Sequence, residues 1–413
     1  MNRRTFLKAA GGGLGTLAVG ADRGLGAASS AQAAPRGALV SDVAVVGAGA
    51  FGGWTALYLR EMGESVTMVD AYGAGNSRAS SGGETRQIRP GYGDREIYTR
   101  WVVQALDRWR ARQTEWRKTL FYHTGELSLV AGWTENLRNS KTVLDKLGVE
   151  NRVIPHDELT RRFPQVNVDG IDFGFFVPST GVLKAREGCV AVAQAFQQKG
   201  GQFIVAKAVP GRDSGGRLHE VTLSTGQTVS AHTFVFACGP WLAKVFPAVM
   251  KKKLVTPRRT EFFIGTPPGD ERFTFPNFPN WAAAGTYGFP SIEGRGFKVA
   301  PTFEDVFVDP DTQERVVTPD EVAQVRAFVA RWFPALADQP IVETKVCQYE
   351  NSVDEHFIVD RHPEFENVWL VGGGSGHGYK HGIMLGDYVA NRVVGKDRNP
   401  ELAATFKLKG QTF

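Results

Sequence analysis

The sequence predicts a mixed α/β protein, in which a Rossmann-type dinucleotide-binding domain is interleaved with a domain built on an antiparallel sheet. Three stretches predict it. Val43 to Asp70, VAVVGAGAFGGWTALYLREMGESVTMVD, has the order strand, glycine turn, apolar helix and second strand ending on an acid. Leu254 to Glu350 is rich in aromatic and β-branched residues punctuated by Gly and Pro, as antiparallel strands are. Gly372 to Gly378 is a second glycine-rich loop, set between an apolar strand (Asn367 to Val371) and a terminal helix (His381 to Val394). Two glycine loops at helix N-termini, at opposite ends of a chain, can cradle one extended cofactor from two sides.

The elements follow in order. Residues 1–33 carry Arg3-Arg4-Thr5-Phe6-Leu7-Lys8, a weakly apolar Ala/Gly/Leu run and small residues at Ala31-Gln32-Ala33. They resemble a twin-arginine export signal, which implies the export machinery as a partner and a periplasmic or otherwise exported protein. The apolar run is shorter than the ~20 residues a bilayer span needs, and no later stretch is long and apolar enough for stable membrane insertion. That route carries proteins folded before export, which suits a cofactor loaded beforehand.

In the first unit, Gly47 permits the tight turn, Gly49 lets the backbone approach a pyrophosphate, and Gly52 lets helix and strand pack closely. Asp70 stands where a ribose hydroxyl needs an acceptor. Gly73 to Gly83 has too little apolar content for a core element and is expected as a loop over the cofactor. Trp101, Leu106 and Trp109 recur at helical spacing within Ile97 to Trp116. Phe121 to Val130 is expected as one strand, and Asp157-Glu158-Leu159 opens a short helix. A helix follows at Arg186 to Lys199, then strands at Phe203 to Ala206 and Leu218 to Phe236 with a hairpin at Thr225-Gly226. The apolar run Phe234 to Ala237 leads into Cys238-Gly239-Pro240-Trp241, where Gly239 offers a further backbone approach to the cofactor. Thr318-Pro319-Asp320-Glu321 combines an N-cap, a proline at the first helical position and a capping-box glutamate. Lys345 to Asp360 is expected as two strands.

Composition narrows the function. Without residues 1–33, 44 basic and 42 acidic side chains remain, so nothing argues electrostatically for nucleic acid or an anionic membrane. Cys189, Cys238 and Cys347 are far apart and form no metal-type spacing. The remaining chain of about 380 residues exceeds one ordinary core, and no low-complexity linker divides it, which is why the two domains are expected to interleave.

These residues alone do not separate NAD from FAD. The order of Glu84-Thr85-Arg86, Phe236-Ala237-Cys238-Gly239-Pro240-Trp241, Cys347-Gln348-Tyr349, Asp354-Glu355-His356-Phe357-Ile358-Val359-Asp360 and Gly374-Ser375-Gly376-His377-Gly378-Tyr379-Lys380 after the first unit resembles the monomeric sarcosine oxidase and N-methyltryptophan oxidase family. The likeness runs from about Asp42 to Val394. It implies an FAD-dependent amine oxidoreductase with FAD-binding segments at 41–90, 183–246 and 345–396 and substrate segments at 91–182 and 247–344. The family's flavin is linked to a cysteine thioether, and the matching residue is Cys347. Its substrates are N-substituted amino acids, oxidised to an imine that hydrolyses while oxygen becomes hydrogen peroxide. Arg89 and Lys380 match the pair that clamps the carboxylate, Arg86 a position beside the flavin, Lys298 the lysine that helps reduced flavin meet oxygen, and Tyr287 and Tyr349 pocket tyrosines. Gly374, Gly376 and Gly378 belong with Lys380 to the cofactor loop.

Two departures argue against sarcosine itself. Thr302 stands where the bacterial sarcosine oxidases have a histidine, and Ser81-Gly82 replaces His-His, with Glu84 for aspartate. Glu350, if it faces inward, is expected to pair with a second cationic group on a larger substrate. Oxidases of primary or cyclic amino acids or of Amadori products share nearly every motif. A quinone-linked dehydrogenase has less use for Lys298, and a non-catalytic flavoprotein has no need of Arg89, Lys298 and Lys380 together.

Overall fold

A computed structural model describes residues 39–413; the twin-arginine stretch lies outside the described residues. Strand β1 (Leu39–Val46) turns through Gly47 into helix α1 (Ala50–Glu61) and returns as β2 (Val66–Asp70). The two strands run parallel, with Val43 opposite Val66 and Val46 opposite Val69. They are near-continuously apolar because both faces of the sheet are covered. On the far side β1 pairs in parallel with Thr228–Phe236, which in turn pairs in parallel with Val368–Gly372. The chain thus returns twice, from distant points, to extend one eight-stranded sheet.

The C-terminal helix Gly378–Val393, which is followed by one short helix at Pro400–Phe406, packs along α1. Its Gly382 and Gly386 lie one turn apart on the contact face: a Cβ on Gly382 would stand 2.7 Å from the Ala50 carbonyl oxygen, and one on Gly386 would stand 2.4 Å from Trp54 Cβ. Small residues at that spacing let the helix backbones approach, and the N-termini of both helices arrive side by side. The helix begins three residues earlier than the sequence suggests, at Gly378. A side chain there would meet the Phe51 ring at 2.8 Å, so glycine serves close packing as well as the loop.

The second eight-stranded sheet is antiparallel except where Asn280–Ala283 pairs in parallel with Glu126–Val130. Helix Pro319–Trp332 covers one face, burying Val325 and Val329 against Phe262, Trp281, Phe297 and Phe333. Its capping box is complete, with Thr318 accepting from the Glu321 N–H and Glu321 accepting from the Thr318 N–H. Period-two alternation then decides the other face. Phe262 and Ile264 enter the core from strand Arg258–Ile264, so Glu261 and Phe263 point oppositely; Phe297 and Val299 enter from Phe297–Ala300, so Lys298 points with Glu261. The register sets Lys345 opposite Glu261 and Cys347 opposite Arg259 on the neighbouring strand Ile341–Gln348.

Two expectations are corrected. Phe121 to Val130 is two strands in different sheets, because Gly125 takes φ +70 and leaves no room for a side chain against the Phe176 ring, 2.7 Å from where a Cβ would stand. Lys345 to Asp360 holds three strands rather than two, Asn351–Ser352 pairing with Leu254–Val255 between the outer pair. The hairpin expected at Thr225-Gly226 joins Glu220–Leu223 to Thr228–Phe236, while helix Glu135–Lys146, capped by Thr134, went unanticipated. No helix among the described residues is long and apolar enough to cross a membrane.

Candidate active site

Two adjoining cavities occupy the join of the sheets. The first, about 380 Å³, opens at the end of β1 against both glycine loops. Gly47 takes φ +110, and a Cβ on it would stand 2.2 Å from the Ala237 carbonyl oxygen. Gly52 does not line the cavity; a Cβ there would stand 1.9 Å from the Gly47 carbonyl oxygen, so it lets helix and turn meet. Gly49, the N-cap of α1, faces the cavity, and so do Gly239, Gly374, Gly376 and Gly378. Asp70 lines it too. Its carboxylate accepts the N–H of Ala48 at 2.8 Å and of Tyr72 at 2.9 Å, and burial raises its pKa. A carboxylate has acceptor capacity beyond two bonds, so it can still take a ligand hydroxyl.

The second cavity, about 440 Å³, shares Arg86, Tyr349, Gly376 and Tyr379 with the first. Arg89, Lys380 and Tyr287 line it. Lys380 was expected also at the cofactor; it lines this cavity only, in the first turn of the terminal helix. Its Nζ donates to Tyr92 Oη at 3.1 Å and the His377 carbonyl oxygen at 3.2 Å. Burial, reinforced by Arg89, holds its pKa well below the ordinary lysine value. The Arg89 guanidinium bonds the Gly91 carbonyl and lies 5.6 Å over the Tyr92 ring. A cation that burial makes reluctant to ionise gains most from a ligand carboxylate.

Behind Arg86 lies a buried charge cluster. Arg86 Nη1 meets Glu261 Oε1 at 2.6 Å, Lys298 Nζ meets Glu261 Oε2 at 3.1 Å, and Arg86 Nη2 donates to Cys347 Sγ at 3.2 Å. Burial opposes the Glu261 charge, but Arg86 and Lys298 outweigh it and hold the carboxyl well below the usual range. For Lys298 burial wins, pushing its pKa down to about 8. Lys298 and Cys347 form no part of either cavity wall; both touch Arg86 or its neighbours from behind, with Lys298 also bonded to the Thr85 carbonyl at 3.2 Å. Tyr287 and Tyr349, both half-buried, line the second cavity, and desolvation raises the pKa of both.

Several site residues escaped the sequence. Glu261 is the centre of the charge cluster, and Glu126 lines the second cavity opposite Arg89 and Lys380. Tyr92 joins Lys380 to His381, whose Nε2 lies 2.8 Å from its hydroxyl. An acid inside an otherwise Thr/Phe/Leu strand was the available signal for both glutamates. Glu350 is corrected: it is buried against the first cavity, behind Gly372, and not in the second. Thr302 is exposed and lines neither cavity. Glu84 points away into ion pairs with Arg186 at 3.3 Å and Arg295 at 3.4 Å.

A dinucleotide cradle opening onto a cation-lined cavity defines a nucleotide-dependent oxidoreductase. The FAD dependent oxidoreductase family model matches residues 42–392, and the chain belongs to that family. It is 28% identical over 369 residues to monomeric sarcosine oxidase of Bacillus sp. (strain B-0618), covering 86% of this chain and 92% of the relative. It is 28% identical over 355 residues to human peroxisomal sarcosine oxidase (84% and 90% covered) and 25% identical over 357 residues to N-methyl-L-tryptophan oxidase of Yersinia pestis (strain Pestoides F) (84% and 94% covered). In fold it is similar to a fructosyl peptide oxidase (TM-score 0.79, 21% identity, 90% and 94% covered) and to L-proline dehydrogenase from P. horikoshii (0.78, 19%, 89% and 96%).

The residues present fit FAD. The turn at Gly47 leaves no room for a Cβ against the Ala237 carbonyl and so lets the backbone line the first cavity, two helix N-termini face that cavity, and two buried polar atoms on its wall, Ser80 Oγ and Glu350 Oε1, have no partner among the described residues. Gly47, Gly49, Asp70, Gly239 and Gly374 are the residues that would hold it.

Proposed function

We propose that this protein oxidises the C–N bond of an N-substituted amino acid to an imine, which water hydrolyses, with two electrons and two protons passing to oxygen to give hydrogen peroxide. FAD, when bound, supplies the two-electron chemistry. Arg89 and Lys380 bind and orient the substrate carboxylate, the arginine by a fork and the lysine by a point charge. Tyr287 and Tyr349 exclude water from the reacting end, and Arg86 sets a fixed positive charge there. Attachment of the flavin through Cys347, export by the twin-arginine route to the periplasm, and the division into FAD-binding and substrate segments belong to the same proposal.

The observation that carries it is the pairing of Arg89 and Lys380 in a cavity that shares Arg86 and Tyr349 with the dinucleotide cavity. A second reading, a dehydrogenase using another acceptor, has one observation in its favour: the Lys298 cation is tied to Glu261 behind the cavity wall. Anaerobic mixing of the purified protein with a panel of N-methyl, primary and cyclic amino acids, followed by flavin absorbance, tests the first step. Admission of air with peroxide detection tests the second. Bleaching by N-methyl amino acids and stoichiometric peroxide are expected. Bleaching without peroxide turns the choice to the dehydrogenase, and no bleaching by any amine sinks both.

A further inference from the structure

Glu126 has no role in the chemistry above. It opens strand Glu126–Val130, where Leu127 enters the core and the alternation turns Glu126 and Ser128 to the second cavity. Its side chain is more than nine-tenths buried, yet no described residue closes an ion pair or hydrogen bond on its carboxylate. Burial raises the pKa of its carboxyl, and the Gln87 side chain works against that shift, with Gln87 Nε2 lacking any hydrogen-bond partner among the described residues. Arg89 and Lys380 favour that charge across the cavity without pairing with it.

A substrate carboxylate taken by Arg89 and Lys380 removes this support, leaving a buried, uncompensated anion, which is costly. A second cation on the same substrate restores the balance. The cavity volume of about 440 Å³ far exceeds a three-carbon amino acid and leaves room for such a group.

We propose that Glu126 makes this cavity select amino acids bearing a second, cationic nitrogen remote from the carboxylate. The inference rests on the proposed amino-acid site but is tested apart from turnover. Holoenzyme is titrated with 6-aminohexanoate and with hexanoate, which share a carboxylate and chain length and differ in the distal ammonium; binding is read from perturbation of the flavin absorbance. The amine is expected to bind at least tenfold tighter, and Glu126→Gln to abolish the preference while hexanoate binds as well or better. In parallel, kcat/KM for Nα-methyl-lysine is expected to exceed that for Nα-methyl-norleucine at least tenfold, with the variant treating them alike. Equal binding of the two carboxylates, binding of neither, or an equal loss of all substrates in Glu126→Gln, as when the residue holds the reacting amine, overturns the inference. Preference for the aminated ligand with no amine oxidised leaves Glu126's role standing and sinks the oxidase reading; oxidation without preference does the reverse.

Discussion

Arg86 donates one guanidinium nitrogen to the sulfur of Cys347 at 3.2 Å while its other terminal nitrogen is held by Glu261 at 2.6 Å. Burial works against the guanidinium's charge, but Glu261 more than offsets it and raises its pKa above the ordinary arginine value. That contact fixes the sulfur's position beside a permanent cation. Acid-precipitated wild-type protein is therefore expected to keep its yellow colour and the added mass of FAD, Cys347→Ser to lose both, and Arg86→Met to retain less than a tenth of the attached flavin. Flavin that washes out of the wild type returns Cys347 to the role of a core thiol.

Glu261 should govern how Lys298 titrates. A lysine pushed down to about 8 is charged below that pH and neutral above it. Removing the carboxylate leaves two buried cations together, so the Lys298 pKa falls further. Reoxidation of reduced flavin by oxygen is expected to decline above pH 8 in the wild type, and Glu261→Gln to move that decline at least one unit lower. Amine-driven reduction at saturating substrate should change far less. Breaking the buried pair also costs roughly 3–5 kcal/mol of stability, so both half-reactions need measuring on the same folded sample. Unshifted reoxidation would mean that Glu261 only holds the fold.

Lys380→Met removes one arm of the carboxylate clamp. A hydrogen bond to a charged group is worth about 1.5–3 kcal/mol, so KM is expected to rise roughly 10- to 100-fold with kcat nearly unchanged. Steady-state kinetics with the best amine from the panel checks this; a fall confined to kcat would place Lys380 in the chemical step instead.

Burial pushes the Glu350 carboxyl up to about 8. The folded state then holds this proton more tightly than the unfolded chain, so the stabilisation is full below about pH 4.5 and is lost as pH rises through 8. Glu350→Gln cannot ionise and lacks that loss. Relative to wild type, it is expected to be more stable at pH 9 by on the order of 2 kcal/mol, with the gap closing toward pH 5 in thermal unfolding. A gap independent of pH would mean that the carboxyl stays ionised throughout.

Much of the cofactor cradle is legible because local rules and tertiary demands coincide. The turn at Gly47 and the close packing at Gly52 follow from spacing alone, as does the Thr318 cap of the helix over the second sheet. The substrate side is harder. Glu126 and Glu261 look like solvent-facing acids in alternating strands, and only the fold reveals that both faces of those strands are covered. Helix Glu135–Lys146 buries only Ser140, Val143 and Leu144, too little apolar pattern to stand out from its charged neighbours. Lys298 and Cys347 were recognisable as residues, but their position behind Arg86 depends on strand register across three separated segments.

The fit of Gly382 and Gly386 against α1 carries a consequence for the order in which the protein is made. The first half of the cradle is complete once β2 has been synthesised, yet its counterpart begins only at Gly378. A nascent chain therefore waits through nearly its whole translation with an apolar α1 face uncovered, and long-range closure of this kind is slow. The first cavity can then close only once the Gly378 helix has been made, and a chain cut short before it would hold one wall of that cavity and lack the other.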